Sequence, residues 1–585
     1  MLDLGLSPSI QINDQLSLKG KVWQLKESNE RDVLGLMQKY NYPELFARLL
    51  SQRCPEAIHP ERFLAPKLRD LLPNPFLLKD MEAATSRIKQ AIEKKEKITI
   101  FGDYDVDGAT STSLLVSYLT FLGAYVNFYI PDRIQEGYGP SVEGFDKLHS
   151  QGTQLVITVD CGTAAHPPLA HAQNLGLDVV VIDHHIPEKE LPPAHAIVNP
   201  NRQDDSSGYE YLCAAGVTFL VMVALQSQLK ETGLPLPDLK LFLDLVALGT
   251  VCDVVPLKGL NRAFVQQGLV VLNKQLNCGL KTLAHVAGIE GPCTAYHLGY
   301  ILGPHINAGG RIGTASLGTQ LLTSQSVDHS LPLAQQLNQL NKERKEIEAQ
   351  VLAEALQKAQ EFKDHAVLCI GMENWHPGII GIVAGRLKES FHKPVFVVAF
   401  DKNGIGKGSG RSVVGINLGN LVQEAKHQDL LLNGGGHAMA AGLTVQKDKF
   451  KALQLFFNEK GKLGVTTPVL EIDGTIHLQG ITTDLIRQLD QLGPFGASNP
   501  SPVFMVSSCQ ITRSQIRGGK HISCALRSEG GKYLEAMAFN AVGTPLEKAL
   551  LNPEDKFYHL AGSLKIDIWQ GREKIKFYID DIRFI

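Results

Sequence analysis

Asp103, Asp105 and Asp107 stand directly after the apolar run Ile98-Thr99-Ile100-Phe101. That pattern constrains the fold most, because the chain repeats it. Asp160 follows Leu155-Val156-Ile157-Thr158-Val159. Asp183, with His184 and His185, follows Val179-Val180-Val181-Ile182, and Asp253 follows the apolar run 245–252. A short apolar run bounded by polar residues reads as a buried strand. Open α/β sheets bind ligands outside the carboxyl ends of their strands. Four strand ends delivering Asp or His to one rim would assemble a dense cluster of oxygen and nitrogen donors. Carboxylates packed that closely stay ionised only beside cations, so the cluster predicts hard divalent metals.

The surrounding sequence fits such a sheet. Helical patterns at 80–95, 112–122 and 164–175 alternate with the strand runs, and Pro167 and Pro168 suit the first turn of the last of these helices. Strands alternating with helices predict a mostly parallel, doubly wound sheet. The expected organisation is an N-terminal region (1–80), a catalytic α/β lobe (81–270), a connecting region (271–330) and a linker-helix segment (331–362) whose helical stretch, 333–362, follows Pro332. A second, smaller α/β lobe (363–460) and a C-terminal β-barrel of OB type (466–585) complete it. The barrel is expected from short apolar strands separated by Gly518-Gly519 and Gly530-Gly531.

Bulk properties exclude some roles. The net charge of −3 provides no basic field, so a nucleic-acid partner would have to be met locally, by metals and positioned Arg and Lys. The nine Cys are odd in number and form no Cys-x-x-Cys pair, which predicts a reducing, cytoplasmic setting rather than a disulfide framework. No apolar run approaches a membrane span, so no membrane partner is expected.

A metal cluster can be structural. Here the ligands come from several separate segments and are mostly carboxylates, which suit catalytic Mn²⁺ or Mg²⁺ better than structural Zn²⁺. A two-metal site can generate hydroxide at neutral pH and clamp both oxygens of a phosphoryl displacement.

The triplet Asp183-His184-His185 and the run Asp103 to Gly108 resemble the DHH phosphoesterase superfamily. The resemblance extends to its RecJ family of single-strand-specific 5′→3′ DNA exonucleases. It continues through Glu136-Gly137-Tyr138-Gly139, Asp253-Val254-Val255-Pro256, Asn307-Ala308-Gly309-Gly310-Arg311, Trp375-His376-Pro377-Gly378, Gly408-Ser409-Gly410-Arg411-Ser412 and Gly434-Gly435-Gly436-His437. It implies two ions of Mn²⁺ or Mg²⁺. One would be held by Asp105 and Asp160 with Asp103, the other by Asp107, Asp160, His184 and Asp253, with Asp160 bridging. His185 would handle protons. Relatives often carry a His where this chain has Phe101, and Asp103 is expected to compensate. The resemblance further implies hydrolysis of single-stranded DNA to 5′-mononucleotides in DNA repair and recombination, with a single-strand-binding protein or a helicase as possible partners.

Expected substrate contacts are Arg133, Tyr138, Asn307, Arg311, Ser409, Arg411 and His437. The segment 408–412 combines backbone N–H groups, hydroxyls and a guanidinium in what reads as a phosphate-cradling loop, and 434–437 reads as a second close-approach loop. Taken alone, a glycine-rich turn with a surface Arg is the better reading of 408–412, and a structural His explains His437 equally well. Trp375 and His376 offer rings for a base, against the alternative of a core Trp. Arg513, Arg517, Lys520, His521, Tyr533 and Phe539 are candidate single-strand contacts on the barrel. Rival readings are a DHH phosphodiesterase for short oligonucleotides or cyclic dinucleotides, and a non-catalytic DNA-binding homologue whose ligand set should be broken.

Overall fold

A computed structural model of the chain describes residues 15–54, 59–132, 136–462, 467–553, 556–569 and 572–585. It divides into two compact units: one of 66–465 with 496–498, the other of 1–65, 466–495 and 499–585. Strand β1 (Val22–Leu25) belongs to the second unit.

The first unit opens with the expected sheet. Strands β2 (Ile98–Gly102), β3 (Val126–Tyr129), β4 (Leu155–Val159), β5 (Asp178–Ile182) and β6 (Ala196–Val198) pair in the order β3-β2-β4-β5-β6, all parallel. Both faces are covered, which is why these strands read as continuous apolar runs rather than alternating ones. Ile98, Ile100, Ile157 and Val180 enter a large core with helix α1 (Val106–Phe121) and helix α2 (Ala214–Leu229). Phe101, Val156 and Val181 enter a smaller core on the opposite face with Phe145.

Two expectations change here. The run 245–252 is not a strand. It lies within helix α3 (Leu243–Cys252), and Asp253 is its C-cap. The run is apolar on every side because α3 is buried all round, and periodicity cannot distinguish such a helix from a buried strand. The linker helix also starts earlier than Pro332. A continuous helical run passes through Ala295–His297, a π-helical stretch Leu298–Leu302 and α4 (Gly303–Ile312), and the long helix α5 then spans Val327–Glu361. Ser326 caps α5 by accepting from the His329 N–H, and Pro332 lies inside it. Near the N-terminus, that proline forfeits one helical hydrogen bond.

The smaller lobe is a five-stranded mixed sheet, β7 (Leu368–Glu373), β8 (Val395–Phe400), β9 (Ile405–Arg411), β10 (Asn433–Gly436) and β11 (Ala440–Gln446), ordered β10-β11-β9-β8-β7, with helix α6 (Ile380–Phe391) between β7 and β8. The glycine-rich segments expected as loops are strands β9 and β10. Their glycines serve packing: a Cβ on Gly410 would lie 2.4 Å from the Phe396 ring, and one on Gly434 2.6 Å from Val422.

In the second unit, β14 (Phe504–Arg517), β15 (His521–Ser528), β16 (Tyr533–Ala538), β18 (Arg572–Phe584) and β17 (Tyr558–Trp569) pair in that order, and β17 returns to β14, closing a five-stranded barrel. The N-terminal segment joins this unit. β1 pairs in parallel with β12 (Val469–Ile472), while β13 (Gly474–Ile476) extends the barrel sheet at β14. Trp23 is buried and its indole N–H donates to Asp581, which also accepts from the Ser17 hydroxyl. Among the described residues no helix is long and apolar enough to cross a membrane.

Candidate functional site

The C-terminal edge of the parallel sheet gathers the acidic residues. Asp103 and Asp105 follow β2, Asp160 follows β4, and Asp183, His184 and His185 follow β5. Asp105 caps α1, accepting from the Gly108 N–H at 3.0 Å, and this turn allows no side chain at Gly108, whose Cβ would lie 2.5 Å from the Asp103 carbonyl oxygen. Asp107, one residue into α1, points at the N-terminus of α2. Its carboxylate accepts from the Ala214 and Ala215 N–H groups at 2.6 and 2.9 Å, where the helix dipole favours negative charge. Asp160 holds a left-handed backbone (φ 61°), a conformation Asp and Asn tolerate better than most residues and one that turns the chain sharply at the strand end.

His184 is the centre of convergence. Its Nε2 lies 3.3 Å from Asp160 Oδ1, 3.7 Å from Asp253 Oδ2 and 3.9 Å from Asp107 Oδ2. Asp103, Asp105 and Asp160 bring ligand atoms within 4.8 Å of one another in a second group, so Asp160 belongs to both. Thus α3, although a helix, delivers Asp253 to the same place as the strand ends do.

Burial and mutual repulsion mark this cluster as incomplete without positive charge. Burial, reinforced by Asp105, Asp107, Asp103 and Asp253, pushes the Asp160 carboxyl well above its ordinary range. Burial with the Asp105 charge pushes Asp107 up to about 7, and burial with Asp107 and Asp105 pushes Asp253 up to about 9. Burial and the neighbouring His185 bring His184 down to about 4, leaving a neutral imidazole. His184 Nε2 and Asp253 Oδ2 are buried without a hydrogen-bond partner. A neutral imidazole nitrogen facing several buried carboxylates fits Mn²⁺ or Mg²⁺.

His185 is held differently. Its Nδ1 lies 2.7 Å from Asp183 Oδ1. Burial would lower its pKa, but the Asp183 hydrogen bond and charge outweigh burial and raise it to about 9. Burial would raise Asp183, yet the His185 contact and the Thr163 N–H hold it below the ordinary carboxylate range. Asp183 thus orients the loop from inside. Asn199 and Asn201, after β6, donate to the carbonyls of His185 and His184 at 2.8 and 2.6 Å. Sequence reasoning passed over both Asn residues. The signal was present: Asn199-Pro200-Asn201 closes a further strand-like run, Ala196-Ile197-Val198.

Of the expected substrate contacts, Tyr138, Asn307 and Arg311 line a cavity of about 220 Å³ with Asp103, Tyr104, Asp105 and Gly310. The Tyr138 hydroxyl donates to the Asp160 carbonyl at 2.9 Å. Arg311 reaches the smaller lobe, donating to the Gly378 carbonyl at 2.9 Å. Ser409 and Arg411 lie together on β9, where the Arg411 guanidinium donates to Ser409 Oγ at 3.3 Å and both side chains face Gly381 on α6. His437 is exposed just beyond β10, and its N–H donates to Ala440, which pairs with Arg411 across β11 and β9. Arg133 lies outside the described residues.

Phe101 is a core residue, 5.2 Å from the Tyr129 ring and 6.2 Å from that of Phe145. Trp375 is likewise core: it is buried, and its indole N–H donates to Glu354 at 2.7 Å. Trp375→Ala is expected to cost about 3–5 kcal/mol of stability and to leave single-strand affinity unchanged, as paired melting and binding curves would report. On the barrel, His521, Phe539 and Tyr578 form a ring cluster, with Phe539 exposed, and Arg513 sits over the exposed Tyr533 ring at 5.4 Å.

The chain matches known protein families along most of its length. Residues 97–250 match the DHH family, N-terminal domain; residues 364–462 match the DHHA1 domain; residues 472–581 match the RecJ OB domain. The chain is 35% identical to the single-stranded-DNA-specific exonuclease RecJ of Bacillus subtilis (strain 168), over 96% of this chain and 70% of that protein. Its fold is similar to the crystal structure of RecJ from Thermus thermophilus in complex with Mn²⁺, with a TM-score of 0.82 and 29% identity over 96% of this chain and 79% of that one. The Mg²⁺ complex of the Thermus protein gives a TM-score of 0.77 at 28% identity, over 96% and 78% of the two chains.

Proposed function

The chain belongs to the RecJ family of DHH proteins, and from that premise we propose that it is a metal-dependent 5′→3′ exonuclease specific for single-stranded DNA. It releases 5′-mononucleotides and serves DNA repair and recombination. The observation that carries this reading is the convergence of Asp107, Asp160 and Asp253 on His184 Nε2, with Asp160 shared by the Asp103–Asp105 group.

Asp103, Asp105 and Asp160 would hold one Mn²⁺ or Mg²⁺, and Asp107, Asp160, His184 and Asp253 the other. When bound, such ions polarise a phosphoryl oxygen and lower the pKa of water to near neutrality. The chain's own residues do the rest. The helix dipole at α2 fixes Asp107. Asp183 fixes the His185 ring through Nδ1 and favours its protonated form, and the ring's Nε2 lies 3.2 Å from the Tyr138 hydroxyl, so His185 would hold a proton beside the metal rim. The cavity beside Asp103 and Asp105, lined by Tyr138, Asn307 and Arg311, would receive the end of the strand next to the metals. Ser409, Arg411 and His437 grip the terminal 5′-phosphate, which gives digestion its direction. The ring and guanidinium face of the barrel binds single strands by stacking and charge. Partners that expose or hold single strands, a helicase or a single-strand-binding protein, fit this substrate.

The grip is tested by Arg411→Ala. A charged hydrogen bond to phosphate contributes about 1.5–3 kcal/mol, so KM for a 5′-phosphorylated strand should rise roughly tenfold to a hundredfold. The preference for 5′-phosphate over 5′-hydroxyl ends should vanish with it. An unchanged preference would remove Arg411 from the grip. Cleavage of dinucleotides without cleavage of long strands would instead favour the short-oligonucleotide phosphodiesterase.

A further inference from the structure

The helical run from Ala295 to Ile312 presents one stripe to solvent. Tyr296 and Tyr300 are 55% and 74% exposed, followed along the stripe by the partly exposed Asn307 and Arg311, while Leu298, Leu302, Ile306 and Gly310 face inward. Asn307 and Arg311 are four apart on α4 and share a face, and Tyr296 and Tyr300 precede them on the same helical run across the π-helical turn. The lower end of the stripe is already accounted for: Asn307 and Arg311 line the cavity with Asp103 and Asp105. The upper end is not.

Tyr296 and Tyr300 stack on one another, with ring centroids 5.1 Å apart and planes at 26°. They sit at the π-helical turn Leu298–Leu302, a rare local geometry that concentrates at functional positions. Its inner side packs tightly on the end of α3. A Cβ on Gly299 would lie 3.2 Å from Val251, and one on Gly303 2.5 Å from Cys252 Sγ. The tyrosines are therefore held on a rigid support beside the segment that presents Asp253, yet they contribute little to the core. The two stacked rings present a flat aromatic surface to solvent. The chemistry matches nucleobases, which stack on aromatic faces whatever the sequence.

We propose that Tyr296 and Tyr300 are a base-stacking platform that positions the single strand leading away from the metal rim. This deepens the exonuclease reading and rests on it. From Tyr300 to Arg311 the helical rise is on the order of 16 Å, so the platform engages bases several nucleotides inward of the reacting phosphate. The tyrosines act as positioning residues. Long strands gain from them, and a dinucleotide held at the metals does not reach them.

The test uses the full chain with Mn²⁺ and the double variants Tyr296→Ala/Tyr300→Ala and Tyr296→Phe/Tyr300→Phe. The alanine pair should raise KM for a long single strand at least about tenfold. It should leave kcat on that strand and hydrolysis of a dinucleotide unchanged, and the phenylalanine pair should behave as wild type. Equal losses on both substrates, or no change on the long strand, would overturn the platform. Binding of a 3′-fluorescein-labelled strand, read by anisotropy in an Asp160→Asn background, separates the two claims. If wild type fails to hydrolyse the strand while binding still depends on the tyrosines, the exonuclease reading falls and the platform stands. If wild type hydrolyses and binding ignores the tyrosines, only the platform falls.

Discussion

Asp160→Asn lowers the rate of single-strand hydrolysis by about 10³-fold or more, equivalent to about 4 kcal/mol of transition-state stabilisation. It does so without unfolding the protein. Asp160 groups with Asp103 and Asp105 and lies 3.3 Å from the His184 Nε2 on which Asp107 and Asp253 converge, so its loss is expected to disable both proposed metal positions at once. The fold does not depend on its charge. The Asp160 N–H donates to the Ile182 carbonyl, its own carbonyl accepts from Tyr138, and Asn tolerates the left-handed backbone as Asp does. Removing one of several mutually repelling buried carboxylates should leave the metal-free protein at least as stable as wild type. Kinetics on a labelled strand and a thermal melt in chelator check the two halves, and wild-type turnover by this variant would remove Asp160 from the site.

Asp107→Ala is expected to lose activity to a similar extent and, unlike the Asp160 variant, to lose stability. The Asp107 carboxylate is the acceptor for the Ala214 and Ala215 N–H groups, and both residues are fully buried. An unsatisfied buried donor costs about 1–3 kcal/mol, so two stranded amides cost roughly 2–4 kcal/mol even after the repulsion from Asp105 is relieved. Asp107→Asn keeps one of the two acceptor oxygens but sets an NH2 donor against the other amide, so it should recover no more than about half of that stability while remaining inactive. A melt in which both variants match wild type would show that the α2 terminus does not rely on Asp107.

These two predictions reflect what was readable in the residues. Asp103, Asp105, Asp160 and the Asp183-His184-His185 triplet could be placed because each directly follows a short run of strand residues, and a parallel sheet brings all such ends to one edge. Asp253 does lie beside Asp107 and His184, as expected, but for a different structural reason. The run before it is uniformly apolar, and that is equally the signature of the buried helix α3. Gly408 to Arg411 and Gly434 to Gly436 looked like loops because glycine disfavours strands on its own. The close approach of Phe396 and Val422, which demands those glycines, exists only in the tertiary structure. The docking of β1 on β12 was invisible for a related reason. It joins Val22 to Val469, and no local pattern encodes a pairing that distant. Asp107 shows the limit most clearly: the sequence marked it as an acidic ligand, but only the fold revealed the two amides that hold it.

The most direct test of the central claim is time-resolved digestion of one long single strand in Mn²⁺, labelled in parallel at its 5′ and 3′ ends, beside a blunt duplex. The account predicts immediate release of the 5′ label as mononucleotide, progressive shortening of the 3′-labelled strand, an intact duplex and no reaction in chelator. Release of the 3′ label first, or internal cuts in both labelled strands, would contradict it.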